Sequence, residues 1–237
     1  MKLISLASGS KGNALYLGTS EVSLLFDVGL RMRELRTRMA EIGKTPELLD
    51  GFLCTHEHND HACGASDLFH KLKVPMLVTP AGNPLIIRGV EIRSFPVPHD
   101  AKEPVGFKVR VGEHKIGIVL DSGQVWDTTV EMLKDVETLV IECNHDPGMV
   151  WLSDRPESLK ERILGPLGHL SNDACGSAIV RIAQGGKLKR VALAHLSREC
   201  NNSSWARTVI GTWLAGSKLN LDVTVLEQTE VKEIYAD

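Results

Sequence analysis

The chain has 237 residues, of which 43% are hydrophobic and 24% charged, so it can bury a sizeable core as one large domain or two small ones. A formal net charge of −3 gives no overall attraction to nucleic acid or to anionic membranes. Five cysteines without C-x-x-C spacing, and no apolar run long enough for a signal peptide or a membrane span, predict a reduced, cytoplasmic protein without a membrane partner.

The predicted elements follow one another without a linker or repeat, so we expect a single domain over residues 1–237. The first quarter predicts strands at Leu3–Ala7, Ala14–Gly18, Ser23–Phe26 and Gly51–Thr55, with helices over Leu30–Ile42 and Ala62–Leu72. The middle predicts strands at Val90–Phe95, Gly106–Val111 and Lys115–Leu120. The remainder predicts strands at Thr138–Glu142, Arg190–Ala194 and, last, Asp222–Leu226, with helices near Thr128–Leu133, Pro156–Ile163, Asn172–Ala183 and Ser203–Leu214. The chain thus has two halves, each with strands followed by helices, and this arrangement indicates sheets packed face to face with helices outside.

The segment that follows the fourth predicted strand is rich in metal-ligand side chains. Residues 55–62 read THEHNDHA and contain His56, His58, Asp60 and His61. His56 and His58 point the same way on an extended segment, and a helix beginning near Asp60 turns the next two side chains toward the same space. Imidazole and carboxylate suit Zn²⁺, Mn²⁺ or Fe, and four such groups serve two ions better than one. The alternative is a polar loop whose histidines cap the following helix.

Three more side chains of the same type follow apolar, strand-like segments. They are His99 in FPVPHD, Asp121 in GIVLDSG and His195 in VALAHLS. Loops at strand ends are where a scaffold presents functional groups. One such residue alone is more often structural, but together with the histidine-rich segment they predict a dinuclear metal site.

These residues resemble the metallo-β-lactamase superfamily over essentially the whole chain. THEHNDH matches its HxHxDH signature, and the three later residues follow in the order of its remaining ligands. The resemblance implies an α/β fold, the αββα sandwich, with the site along one edge of the sheets. The implied ligand set is His56, His58 and His99 for one metal, Asp60, His61 and His195 for the other, and Asp121 as the bridge.

Finer motifs resemble the YycJ/WalJ-like branch of that superfamily, which is associated with 5′→3′ exonuclease activity on DNA. They are SLASGSKGN, FPVPHDAKEPVGF, IECNHD, GHLSN and AHLSRECNN. The resemblance implies two-metal hydrolysis of a phosphodiester, with Zn²⁺ favoured over Mn²⁺ or Fe and with Asp60 or Asp121 orienting the attacking hydroxide. The alternative is a small-molecule hydrolase acting on a thioester, lactone or cyclic phosphate. A metal-free binding module leaves the ligand-type residues unexplained, and the oligomeric state stays open.

Two histidines and one aspartate have both a structural and a functional interpretation. His145 and His169 are either structural loop residues or catalytic groups that stabilise the leaving oxygen. Asp27, in LLFDVG, is either a turn residue before Gly29 or, by the resemblance, the acceptor of a hydrogen bond that orients the ligand loop.

Two further segments are open to the same choice. The Ser8–Gly12 loop, with its hydroxyls, one cation and free backbone amides, either holds a phosphate or is a plain hairpin turn. The arginines of the first predicted helix either meet a phosphate backbone or form a solvated face; they are Arg31, Arg33, Arg36 and Arg38. Only ordinary elements separate Asp121 from His195, which predicts that short loops engage the substrate.

Overall fold

The structure, a computed structural model, describes residues 1–79 and 83–237, and within them twelve strands form two sheets. The first sheet contains β1 (Lys2–Ala7), β2 (Ala14–Gly18), β3 (Ser23–Phe26), β4 (Gly51–Leu53) and β12 (Lys232–Ala236). The second contains β5 (Leu85–Ile87), β6 (Val90–Pro96), β7 (Val105–Val111), β8 (His114–Val119), β9 (Thr138–Glu142), β10 (Arg190–Ala194) and β11 (Asp222–Val225). The strand orders are β12-β1-β2-β3-β4 and β11-β10-β9-β8-β7-β6-β5.

The helices lie between these strands along the chain. They are α1 (Met32–Glu41), α2 (Asn59–Ala62), α3 (Asp127–Leu133), α4 (Pro147–Leu152), α5 (Glu157–Leu164), α6 (Asn172–Ala183) and α7 (Ser203–Gly216). A 3₁₀ helix covers Pro46–Leu48 and a π-helical segment covers Asp67–Lys71.

The alternation of side chains along the strands builds four layers. In β2, Leu15 and Leu17 face the core between the sheets, whereas Tyr16 faces the outer core shared with α1. In β9, Val140 faces the central core, and its neighbours face the outer core shared with α6 and α7. Each sheet is therefore buried on both faces, one by the other sheet and one by helices. The predicted αββα sandwich is confirmed.

Three sequence predictions were wrong in detail. The helix expected over Ala62–Leu72 is interrupted after α2, because Gly64 packs against the backbone near Val28, whose carbonyl oxygen accepts the Gly64 N–H at 2.8 Å. Asp222–Leu226 is not the last strand, since β12 pairs antiparallel with β1. Helix α4 and strand β5 were not predicted, and both are short.

Strand direction decides where the loops emerge. Strands β8, β9 and β10 are parallel, so their carboxyl ends lie at one edge of the second sheet. Strand β6 runs the same way, because it is antiparallel to β7, which is antiparallel to β8. The segments that follow β6, β8 and β10 therefore start at the same edge of the sheet.

Candidate metal centre

The seven side chains predicted as ligands come together at this edge, in two groups that share one carboxylate. His56, His58, His99 and Asp121 form the first group, and Asp60, His61, Asp121 and His195 form the second. Within each group, one ligand-type atom from every residue lies within 4.8 Å of the others. The grouping matches the one implied by the resemblance, with Asp121 common to both.

Distances inside the cluster place the shared carboxylate between the imidazoles. The Asp121 Oδ2 atom lies 3.2 Å from His61 Nε2 and 3.6 Å from both His56 Nε2 and His99 Nε2. On the second side, His195 Nε2 lies 3.4 Å from Asp60 Oδ2. In His56, His61 and His99 the Nε2 atom is turned toward the middle of the cluster, whereas His195 contacts Asp60 through Nε2 and Asp121 through Nδ1.

The other ring nitrogen of each of these histidines is held by the protein. His61 Nδ1 lies 2.7 Å from Asp27 Oδ2, and His99 Nδ1 lies 3.0 Å from the Gly168 carbonyl oxygen. His56 and His195 are held in the same way, with Nδ1 at 3.0 Å from Thr55 Oγ1 and at 3.1 Å from Glu142 Oε1. Partners of this kind fix the ring orientation of metal-binding histidines and leave the second nitrogen for the ion.

The chemistry of the donor set fits divalent cations. His56 Nε2 and His195 Nε2 are buried and have no hydrogen-bond partner within the described residues, a state that proteins seldom tolerate without a ligand. Burial lowers the pKa of His56 to about 4, which leaves its imidazole neutral and able to bind metal. Burial opposes the ionisation of Asp121, but His195 and His61 outweigh it and hold the pKa of this carboxyl well below its usual range.

Three residues at the cluster have left-handed backbone conformations within two residues of a strand end. Asp27, Asp121 and His195 follow β3, β8 and β10, with φ values of 61°, 47° and 55°. Residues other than glycine seldom adopt the left-handed region of backbone conformation, and backbone strain of this kind concentrates at functional sites. The backbone reversal turns each side chain back over its strand end.

Asp27 is fully buried and holds the ligand loop in place. Its Oδ1 accepts hydrogen bonds from the Thr55 backbone N–H at 2.7 Å and the Thr55 hydroxyl at 3.0 Å, while its Oδ2 faces His61. The predicted hydrogen bond to the ligand loop is confirmed. The turn interpretation holds as well, because Asp27 also has the positive φ of a turn residue.

Sequence reasoning missed Glu142, the last residue of β9. Its buried carboxylate accepts hydrogen bonds from the backbone N–H groups of Ser122 at 2.8 Å and Leu170 at 3.2 Å. It also contacts His169 Nδ1 at 2.7 Å and His195 Nδ1 at 3.1 Å. Glu142 sits at the end of a predicted strand, as the other ligand-type residues do, and that position was the signal available in the sequence.

His169 and His145, the two histidines predicted as structural or catalytic and not as metal ligands, lie in different places. The ring centroid of His169 lies 5.3 Å from those of His99 and His195, and it forms a third ligand-type group with Asp121, Glu142 and His195. Burial lowers the pKa of His169, but the Glu142 carboxylate outweighs it and raises this pKa.

His145 lies outside the three groups found among the described residues. It is 1% exposed, and its Nδ1 has no partner in that part of the chain. The structure therefore brings His169, and not His145, to the candidate metal centre.

The Ser8–Gly12 loop supports the cluster with most of its amides already engaged. The N–H groups of Ser8, Gly9, Lys11 and Gly12 donate to Glu227 O, Asn13 Oδ1, Gln228 Oε1 and Gly9 O. The expectation of free backbone amides is wrong for these four residues, because the segment after β11 supplies two of the acceptors and Gly9 and Asn13 supply the other two. The Ser8 hydroxyl oxygen accepts the His195 backbone N–H at 2.8 Å.

The arginines of the first helix are partly neutralised within the chain. Arg36 pairs with Glu47, and Arg38 lies 3.7 Å from Glu34. Arg31 and Arg33 are exposed.

Across the described residues, none of the helices has the length and apolar character needed to span a bilayer.

Comparisons with known proteins agree with this geometry. Residues 8–156 match the model of the metallo-β-lactamase superfamily. The chain is 32% identical to exodeoxyribonuclease WalJ of Streptococcus pneumoniae serotype 2, over 92% of this chain and 90% of the relative. It is also 32% identical to exodeoxyribonuclease YycJ of Bacillus anthracis, over 85% and 84%. Among solved structures, the metallo-β-lactamase fold protein YhfI of Bacillus subtilis aligns with a TM-score of 0.72 and 17% identity, covering 98% of this chain and all of that one, which shows the fold alone. The chain therefore belongs to the metallo-β-lactamase superfamily of metal-dependent hydrolases, as a WalJ/YycJ-like member.

Proposed function

We propose that this protein is a dinuclear metal-dependent phosphodiesterase that degrades DNA as a 5′→3′ exonuclease. The observation that carries the proposal is the pair of ligand groups sharing Asp121, with buried imidazole nitrogens turned toward a common centre. The exodeoxyribonuclease names of its bacterial relatives support DNA as the substrate, and the YycJ/WalJ-like motifs support the polarity.

The ligands we assign follow the two groups. His56, His58 and His99 would hold one ion, Asp60, His61 and His195 would hold the other, and Asp121 would serve both. When bound, divalent ions supply Lewis-acid polarisation of a phosphoryl oxygen and lower the pKa of a water molecule so that it becomes a nucleophile at neutral pH. An imidazole-rich set with carboxylates favours Zn²⁺, and Mn²⁺ or Fe also suit it.

Residues of the chain carry the remaining steps. Asp60 lies at the mouth of the cluster, with 25% of its side chain exposed, and together with Asp121 it orients the attacking water. His169 is held by Glu142 and has 21% of its side chain exposed, so it can reach substrate and donate a proton to the leaving oxygen. His145 has no comparable route to the substrate, because it is buried.

The surroundings of the centre favour a phosphate-containing substrate over a thioester or lactone. The cleft beside His169 is lined by Arg155 and Arg162 and by polar residues that include Ser10 and Asn144. Sites for small apolar substrates are lined mostly by hydrophobic and aromatic side chains. Guanidinium groups instead match the oxygens of phosphate with a fork of parallel N–H donors.

The proposal is tested by incubating metal-loaded protein with DNA and RNA labelled at either end, beside a thioester and a lactone panel. We expect mononucleotides to be released progressively from the 5′ end of DNA, with dependence on Zn²⁺ or Mn²⁺. A protein that carries the His70→Ala substitution, at an exposed histidine away from the cluster, should match the wild type. Cleavage of the thioester or lactone without any cleavage of DNA would replace the nuclease proposal by the small-molecule alternative.

A further inference from the structure

A polar cleft opens directly beside the candidate metal centre. It encloses about 190 Å³, and its lining includes Ser10, Asp100, Arg155, Arg162, His169 and Ser197. His169 also belongs to the cluster of ligand-type residues, so the cleft and the metal centre share a wall. No residue of the cleft other than His169 belongs to the proposed catalytic machinery.

The two arginines are each anchored by one carboxylate and keep donors free. Arg155 is held at 3.0 Å by Glu199, through Nε and one terminal nitrogen, and Arg162 is held by Asp100 through Nε. The remaining terminal nitrogens, one on Arg155 and two on Arg162, make no hydrogen bond with any residue that the structure describes. Anchoring at one edge orients a guanidinium and lowers the entropy cost of binding a second anion with the rest of its fork.

Two hydroxyls add neutral donors to the same cleft. The Ser197 oxygen accepts the Cys200 backbone N–H at 3.1 Å, so its own hydrogen is left for another acceptor. Ser10 is exposed and also lines the cleft. Two guanidinium groups and two hydroxyls that line one small cavity are complementary to an anion with several oxygens.

We propose that this cleft is a second phosphate-binding subsite, in which Arg155 and Arg162 hold the phosphate next to the one that is hydrolysed. The inference rests on the proposed phosphodiesterase function and specifies how a strand is held at that site. The neighbouring phosphate is either the terminal monoester of the strand or an internal diester, and both present the oxygens that the arginines bind. Arg155 and Arg162 belong to none of the ligand-type groups of the candidate metal centre. Their proposed role is therefore to position the strand, and not to contact the phosphate that is hydrolysed.

The binding test uses metal-loaded protein and a fluorescent thymidine oligonucleotide with phosphorothioate linkages that resist hydrolysis. We expect Arg155→Gln and Arg162→Gln each to weaken binding roughly ten-fold, as loss of a hydrogen bond to a charged group does. The slope of log affinity against log salt concentration should also fall by about 0.7 for each phosphate of the single strand that the variant no longer neutralises. The lysine variants Arg155→Lys and Arg162→Lys should recover part of the affinity and most of the slope, because lysine keeps the charge but lacks the fork of donors.

The matched control is Arg110→Gln, which removes an arginine that also pairs with a carboxylate, Glu91, on an exposed strand pair. It should bind as the wild type does. Circular dichroism establishes that each variant is folded. Unchanged affinity and salt slope in both glutamine variants, at the level of the control, would overturn the subsite.

Changing the group at the 5′ end of the oligonucleotide identifies which phosphate is bound in the cleft. If the terminal monoester occupies the cleft, a 5′-phosphorylated strand binds more tightly than a 5′-hydroxyl strand, and the glutamine variants abolish that difference. If an internal diester occupies the cleft, the 5′-phosphorylated and 5′-hydroxyl strands bind the wild-type protein equally well, and the glutamine variants weaken the binding of both strands equally. A loaded wild-type protein that binds DNA through these arginines but hydrolyses none would contradict the nuclease function and leave the subsite standing, whereas hydrolysis that is indifferent to both arginines would contradict the subsite alone.

Discussion

Asp121 lies where the two ligand groups meet, and the residue is 1% exposed. A buried carboxylate is costly unless positive charge compensates it. His61 and His195 hold the pKa of Asp121 low in the protein, and two dications bound to the neutral imidazoles would compensate its charge instead. Its position makes Asp121 the residue on which the dinuclear assignment depends most.

We expect Asp121→Asn to fold, because asparagine tolerates the left-handed backbone at this position, but to lose at least one ion and nearly all hydrolysis. Wild-type protein should carry close to two ions per chain, and the variant should retain some metal through His56, His58 and His99. Elemental analysis beside the hydrolysis rate measures both effects, with Asp127→Asn, at an exposed aspartate, as the control. Full occupancy with a near-normal rate would show that the assignment is wrong.

His169 contacts Glu142 and faces the cleft, so its loss should affect the reaction more than the metals. His169→Ala is expected to reduce turnover by about 10²- to 10⁴-fold, the usual contribution of a positioned acid or base, while metal content stays at the wild-type level. His70→Ala serves as the exposed-histidine control. Loss of metal from the His169 variant would instead place this residue among the ligands.

Burial lowers the pKa of His145 to about 4, from an ordinary value of 6.5. The unfolded chain therefore binds this proton more tightly, and the neutral side chain contributes stability above pH 6.5 that is lost as the pH falls through 4. The difference corresponds to about 3 kcal/mol in the free energy of unfolding. His145→Gln should flatten the dependence of that free energy on pH across this interval, as measured by urea denaturation of both proteins, and parallel profiles would contradict the expectation.

The element that recurs at the site is a strand followed, within two residues of its end, by a residue with positive φ. Strands β3, β8 and β10 end in this way at Asp27, Asp121 and His195. Each such residue costs about 1–3 kcal/mol of strain, which the surrounding hydrogen bonds must offset. At Asp27 the compensation comes from Thr55 and His61, so the end of β3 and the ligand loop after β4 stabilise each other.

Asp27→Asn keeps a residue that tolerates this backbone but removes the charge that faces His61. We expect metal affinity to fall by about 10- to 100-fold at the second ion, because the partners of metal-binding histidines contribute on this scale. Competition with a chromophoric chelator measures the affinity. The matched control is Asp50→Asn, which removes an aspartate that accepts the Ser23 N–H at 2.9 Å at the opposite end of the same strands. Equal affinities in the two variants would contradict this role of Asp27.

At the scale of the whole molecule, the candidate metal centre is built from side chains of both sheets. The ligand loop follows β4 of the first sheet, while His99, Asp121 and His195 follow strands of the second. Ions bound by both sets would therefore link the layers of the sandwich along one edge. Binding energy of this kind appears directly as stability, because the unfolded chain does not preserve the site.

Removal of metal should therefore destabilise the fold. An ion present at about 100 times its Kd adds about 2.7 kcal/mol. For a domain of this size each kcal/mol shifts Tm by about 2–4 °C. We expect a chelator to lower Tm by roughly 5–10 °C per ion in calorimetry, with a smaller shift for Asp121→Asn. An unchanged Tm after elemental analysis has established complete removal would mean that the ions do not couple the sheets.

The sequence by itself determined most strands and all seven ligand-type residues. Both signals are local: alternation with a period of two reveals a strand, and a histidine or aspartate just past its end is visible without knowing its neighbours. The HxHxDH segment then supplied the family and, with it, the αββα sandwich. The resemblance also implied two ligand groups, and the residues of each group lie close together in the structure.

Only the tertiary structure decided the contacts between distant segments. Strand β12 pairs with β1 across the whole length of the chain, and its sequence carries too little hydrophobic alternation to be recognised alone. Glu142 becomes a partner of His169 and His195 only because parallel pairing sets its strand beside β10. The cleft with Arg155 and Arg162 exists because the segment around α5 folds back beside the metal centre. A carboxylate or a guanidinium in a sequence has no assigned partner, since hydrogen bonds and charge pairing depend on distances that packing alone sets.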